Sequence, residues 1–191
     1  MSQWELAQVN IARLIEPLDS ERISDFIANL DPVNAEADEA PGFIWRLKTE
    51  EGDATSIQAF EWDVLDTAGV IVNLSKWESI DALKAFMYQG MHVEMMKRRF
   101  EWFHKVAEAT TALWWVPAGH IPSTDEAEQK VQELRLLGPT PSAFNLRTGA
   151  TKAGSSMAAP CVCASMTTIP MTAKAWLYAS RDRRWARAKR L

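Results

Sequence analysis

The sequence predicts an α+β fold: a ferredoxin-like antiparallel sheet with helices on one face, forming a dimeric α/β barrel, plus an extra C-terminal helix. Three observations lead there. Four short runs carry strand-type alternation, and helical spacing fills the gaps between the first and second and between the third and fourth, the order of a split βαβ unit. The runs AQVNI, VIVNLS and ALWWVPA are apolar on both sides. Two helices cover one sheet face, so the other needs a cover. A second copy of the sheet is the economical one, because hundreds of Å² of wet apolar surface are rare on monomers.

The elements follow in order. WELAQVNI, residues 4–11, alternates with Leu6, Gln8 and Asn10 on one face and Ala7, Val9 and Ile11 on the other. Pro17, Asp19 and Ser20 read as a turn and N-cap before a helix whose stripe is Ile23, Phe26, Ile27 and Leu30. Asp31-Pro32 is expected to break or restart it, because proline disfavours helical geometry in the residue before it. After the turn signal Pro41-Gly42, a strand over Phe43–Leu47 puts Phe43, Trp45 and Leu47 on one face and Arg46 on the other. Gly52 marks a hairpin turn into a strand over Thr55–Phe60.

Val70–Trp77 is the clearest strand, with Ile71, Asn73, Ser75 and Trp77 on one side. Ser79 caps the next helix, Gly90 interrupts it, and Met91–Ala107 is expected to resume it. Thr111–Pro117 is the last strand, its tryptophans Trp114 and Trp115 facing opposite ways. Ser123 or Thr124 caps a terminal helix over Asp125–Leu137, stopped by Gly138-Pro139.

Charge divides the chain of 191 residues. Residues 1–147 hold 13 Lys and Arg against 24 Asp and Glu, and the remainder holds 8 against Asp182 alone. Residues 1–147 are therefore expected to form the domain, and 148–191 a basic, small-residue-rich, disordered tail. An acidic body argues against a nucleic-acid groove, because phosphate affinity comes largely from Lys and Arg releasing counterions. No stretch approaches the ~18 apolar residues that span a bilayer, and MSQWELAQVN is no secretory leader, so a cytoplasmic protein is expected. Cys161-Val162-Cys163 lacks zinc-ligand spacing, and no phosphate loop, G-x-S-x-G elbow or H-E-x-x-H is present. No resident metal is expected.

Asn73 shares its face with Ser75 and Trp77, and Gln8 or Asn10 on the neighbouring strand is expected beside it, giving a polar patch in an apolar cavity. The bland alternative is that Asn73 and Ser75 satisfy each other or a buried water. Nine tryptophans are many for this length. Trp45, Trp77, Trp102 and Trp114 fill a core or line a pocket for a flat hydrophobic ligand. Arg46 with Arg98-Arg99 suits either an anion clamp or ion pairs with the acidic body. Of His92, His104 and His120, no two share the spacing of a helical metal site.

The runs ELAQVNIARL, PGFIWRL, GDATSI, NLSKWESIDALKAF, RRFEWF and ALWWVPAGHIP, with GPTPSAF at 138–144, resemble the domain of unknown function 3291 family. That family is similar to antibiotic-biosynthesis and haem-degrading monooxygenases of the dimeric α/β-barrel superfamily. The resemblance implies a homodimer and an oxygenase-like enzyme acting on a small hydrophobic or aromatic molecule, without metal or flavin or with haem. Monooxygenases of that superfamily that work without metal or flavin use Asn, Trp and His side chains to position an oxidisable aromatic substrate, which implies Asn73, Trp77 and His92 as the catalytic residues here, His92 because a histidine follows the helix break in the resembled family. Trp45, Arg46, Trp102 and Trp114 are then the substrate contacts, with Arg46 and Arg98-Arg99 suited to a haem propionate. The alternative is a non-catalytic small-molecule-binding or stress-related dimer.

Overall fold

The computed structural model describes residues 3–63 and 67–149; nearly all of the expected basic tail lies outside the described residues. Strands β1 (Trp4–Arg13), β2 (Phe43–Arg46), β3 (Val70–Trp77) and β4 (Thr111–Pro117) form one antiparallel sheet in the order β2-β3-β1-β4. Helices α1 (Ser24–Asp38) and α2 (Ile80–Met87) lie between β1 and β2 and between β3 and β4, with α3 (Gly90–Arg98) following α2 and α4 (Thr124–Leu137) closing the described chain. Two split βαβ units with β1 and β3 in the centre are the ferredoxin-like topology. Two of the expected caps form: Ser79 Oγ accepts from the Ala82 N–H and Ser123 Oγ from the Glu126 N–H, each at 3.1 Å, whereas Ser20 precedes a 3₁₀ turn over Glu21–Ile23 and its side chain caps no backbone N–H.

Register fixes what each face presents. Leu6, Gln8 and Asn10 pair with Trp77, Ser75 and Asn73, and Gln8 and Asn10 pair on the other side with Leu113 and Thr111. A polar row therefore crosses the sheet on one face, while Val9, Ile11, Val72 and Leu74 make the other aliphatic. On the polar face, Leu83 and Phe86 of α2 pack on Leu6 and Trp77, and Phe26 of α1 packs with Ile23, Ile71 and Trp102 in a separate cluster.

Helices α1 and α2 cover the polar face as expected, and the extra helix, α4, covers the aliphatic face, which removes the stated reason for a twin subunit. Ala127, Val131 and Leu134 of α4 pack on that face, joined by Ala59 and Phe60 from the loop after β2. Val9 and Ala112 are fully buried and Leu74 is 1% exposed within one chain, so the aliphatic face is covered without a second copy. Burial of Val131 and Leu134 contributes about 1.5–3 kcal/mol each to holding α4 there. Polar contacts fix its pose: Trp114 Nε1 donates to Glu126 at 2.7 Å, and Glu128 accepts from the Phe60 N–H and Trp62 Nε1.

Four local expectations also change. Helix α1 runs through Pro32, which is exposed, so the carbonyl that loses its partner, Ala28, can turn to water. A bulge between Phe43 and Trp45 shifts the parity of β2, leaving Phe43 on the polar face while Trp45 and Leu47 pack into the α4 cluster. Residues 55–60 form no strand; Phe60 takes φ 58° and drops into the core. Helix α3 ends at Arg98 in a single 3₁₀ turn rather than reaching Ala107.

Asp63 joins the loop, β1 and α4. Its carboxylate, 4% exposed, accepts from Arg13 Nη2 at 2.6 Å and from Arg135 Nη1 at 2.7 Å. Burial pushes its pKa up, but the hydrogen bonds and charges of Arg13 and Arg135 outweigh that and hold it below the usual carboxylate range. The folded pKa is the lower one, so this contribution is present above the unfolded value of ~3.9 and is lost as pH falls through the folded one. Asp63→Ala leaves two arginines facing each other and is expected to cost about 3 kcal/mol at neutral pH, read as a fall in the urea midpoint with an unchanged m-value.

Candidate functional site

Between the two aromatic clusters the polar face is not filled. A cavity of about 520 Å³ lies there, floored by Gln8, Asn10, Asn73 and Ser75 and walled by α1, α2, α3 and the segment after α3. Asn73 is exposed although it lies mid-strand between Val72 and Leu74, each 1% exposed, because its side chain faces this space. Its amide has no protein hydrogen bond among the described residues.

The floor is ordered by donors of known direction. An indole N–H only donates, so Trp77 Nε1 gives its proton to Ser75 Oγ at 2.9 Å, and the Ser75 hydroxyl passes its own to Gln8 Oε1 at 2.9 Å. Asn10 Nδ2 donates to Thr111 Oγ1 at 2.8 Å. Ser75 is thus committed to Trp77 and Gln8, and the expected pairing of Asn73 with Ser75 does not form.

His92 sits in the first turn of α3, with its ring centroid 4.7 Å from that of Phe86. Its Nδ1 lies 3.0 Å from the Met87 carbonyl oxygen, which can only accept, so Nδ1 carries the proton. Burial lowers the pKa, more than the Met87 carbonyl and the Glu36 charge raise it. The ring is therefore neutral near pH 7, with a lone pair on Nε2 that no described protein group uses, in a residue that lines the cavity. Glu36 on α1 also accepts the Met91 N–H at 2.9 Å, tying down the N-terminus of α3 that carries the imidazole.

Of the expected site residues, Asn73, Trp77, His92, Arg46 and Trp102 line the cavity. Trp45 and Trp114 do not: both pack in the α4 cluster, Trp45 because of the bulge and Trp114 because its register with Ala7 turns it to the aliphatic face. Arg46 is committed, its Nε and Nη2 to Asp38 at 2.8 and 3.1 Å and its Nη1 to the Gly52 carbonyl. Arg98 binds Asp25 and Glu101. Arg46 and Arg98 of the expected propionate clamp are thus neutralised by this chain's own carboxylates, while Arg99, which lines the cavity, donates to the Met96 carbonyl and lies over the Phe100 ring. His104 also lines the cavity, while His120 pairs with Glu126 at 2.7 Å on the surface.

The expected polar patch forms, with Asn10 opposite Asn73 and Gln8 opposite Ser75, but sequence reasoning did not count Gln8 among the reacting or contact residues, although two amides at i and i+2 in a strand otherwise apolar on that face were the available signal. Among the described residues no group of three or more His, Cys, Asp and Glu side chains is arranged to hold a metal, and no helix is long and apolar enough to cross a membrane.

A family model described as "Domain of unknown function (DUF3291)" matches residues 5–159. No curated protein matches the chain. Among solved structures, SnoaB, a cofactor-independent oxygenase from Streptomyces nogalater, is similar at 14% identity and a TM-score of 0.37, over 61% of this chain and 95% of that one. Rv0793 from Mycobacterium tuberculosis is similar at 12% identity and 0.38, over 62% and 99%. NE2512, a protein of unknown function from Nitrosomonas europaea, is similar at 13% identity and 0.38, over 63% and 97%. At these scores the fold assignment rests on the chain's own strand order.

Two outcomes follow from the placement of His92. Gly90 has φ 54°, and a Cβ there would lie 1.6 Å from Glu36 Oε1. Gly90→Ala is expected to cost about 1–3 kcal/mol and to return the His92 pKa toward its ordinary value in an NMR titration. Because the folded pKa of His92 is the depressed one, its effect on stability is absent above the unfolded value of ~6.5 and grows as pH falls below it, where the unfolded chain takes up the proton first. Unfolding midpoints measured from pH 7.5 down to 5 should therefore fall less steeply in His92→Gln than in the unmutated protein.

Proposed function

The chain belongs to the DUF3291 family, whose description assigns no reaction, and from its cavity we propose an oxygenase-like reaction on a small, flat hydroxyaromatic molecule, without metal or flavin. The observation that carries this reading is the half-buried, neutral His92, its Nε2 lone pair unclaimed in a cavity walled by Phe26, Phe86, Trp77 and Trp102. A base of this kind suits removal of a proton from a phenolic O–H, and the aromatic walls suit the ring that carries it.

The substrate supplies the electrons. His92 Nε2 takes the phenolic proton; the phenolate gives one electron to dioxygen, and the resulting phenoxyl radical and superoxide combine to form a C–O bond at the ring carbon para to the oxygen. Loss of that carbon's proton and cleavage of the O–O bond release water and leave a quinone, so one phenol and one dioxygen give one quinone and one water. Asn73 supplies amide hydrogens to the new oxygen, and Trp77, stacked at 5.2 Å on Phe86 and bound to Ser75, holds the ring plane.

With 1-naphthol as probe, the protein is expected to consume one dioxygen per 1,4-naphthoquinone formed. In His92→Gln the rate should fall by about 10²–10⁴ with 1-naphthol still bound. Binding without oxygen uptake in the unmutated protein would instead leave a non-catalytic binding protein.

A further inference from the structure

The structure assigns Gln8 a role in ligand recognition: its Nε2 is a donor of fixed polarity that holds the oxygen of a hydroxyaromatic ligand, in its ionised form, on the floor of the cavity. This rests on the reading of the cavity as a hydroxyaromatic site. The Gln8 side chain is 7% exposed, in the middle of the central strand, where an amide with nothing to bind is costly. Its Oε1 is claimed by the Ser75 hydroxyl, and Ser75 is oriented by Trp77 Nε1. Trp77 Nε1 donates to Ser75 Oγ and the Ser75 hydroxyl donates to Gln8 Oε1, so the end of the amide left over is the NH₂.

That NH₂ has no protein partner among the described residues, yet it is not sealed in. The only fully buried polar side-chain atom without a partner among them is Ser20 Oγ, so Gln8 Nε2 touches open space, and the space Gln8 lines is the cavity. The site thus offers an acceptor, His92 Nε2, and a fixed donor, Gln8 Nε2. A phenol uses both in turn: it loses its proton to the first, and its oxyanion is held by the second. A donor set before the charge develops needs no reorganisation when the charge arrives.

The test compares 1-naphthol with naphthalene, which has the same rings and no oxygen, by quenching of tryptophan fluorescence under argon. Gln8→Leu is expected to weaken 1-naphthol binding about tenfold, as loss of a hydrogen bond to a charged group does, and to leave naphthalene within about twofold. The share of bound 1-naphthol absorbing as naphtholate should fall in the same variant, a change that lost packing alone does not produce. Gln8→Glu, close in shape and repelling an anion, should weaken 1-naphthol more than Gln8→Leu does and serves if the leucine variant fails to fold. Equal losses for both probes, or none, overturn the role of Gln8. Gln8-dependent binding with no oxygen uptake in air keeps that role and overturns the oxygenase reaction; uptake unaffected by either Gln8 variant does the reverse; binding of neither probe by the unmutated protein overturns both.

Discussion

Two aromatic pillars hold the helices off the polar face of the sheet, and the space between them is what makes this chain more than a packed α+β domain. At one end Trp77 stacks on Phe86 at 5.2 Å and meets Phe43 edge-on at 5.3 Å; at the other Phe26 packs on Trp102 at 5.8 Å and Phe103 at 5.0 Å. Each pillar has its own cluster of buried side chains, and the two clusters are separate. The floor between them is the row Gln8, Asn10, Asn73 and Ser75, set side by side by the β1–β3 register. Polar residues there can stay solvated or bind a ligand, whereas leucines in the same row would collapse the helices onto the sheet.

The opposite face follows the reverse rule. It is aliphatic, close-packed and closed by α4 and Phe60, and its few polar atoms are consumed in latches such as Arg13–Asp63–Arg135 and Trp114–Glu126. The tryptophans were expected either to fill a core or to line a pocket, and the two faces sort them. Trp77 and Trp102 border open space, while Trp45 and Trp114 border α4.

Much of this sorting was legible in the sequence, and what was not has a physical cause. β3 and β4 appear at the expected residues because two-residue alternation and flanking turn signals are local properties. The caps at Ser79 and Ser123 are local too. Which face α4 covers is not local: an apolar stripe states that a helix is buried on one side and says nothing of its partner, so the uncovered sheet face was assigned to a twin. The bulge in β2 is likewise invisible, since one extra residue reverses the parity of Trp45 without changing composition. Asn73, Trp77 and His92 were legible because each is a polar or aromatic exception within an apolar pattern. Gln8 was just as exceptional, but its meaning lies in which end of the amide is free, and only the contact with Ser75, 67 residues away, decides that.

The same contact logic explains why His92 and Gln8 differ in kind from the arginines around them. Arg46 and Arg98 carry full charges, yet Asp38, Asp25 and Glu101 take up those charges on site, so they hold the walls together and offer a ligand little. His92 and Gln8 are neutral, and each has one polar end spent on the protein and the other left over. In a cavity walled by aromatic rings, a leftover lone pair and a leftover N–H act more strongly than they would on the open surface. A ligand that is neutral on entry avoids the cost of bringing a charge in, and one that ionises inside meets a proton acceptor and a donor already in place. Proton transfer inside the cavity is therefore a step this arrangement favours.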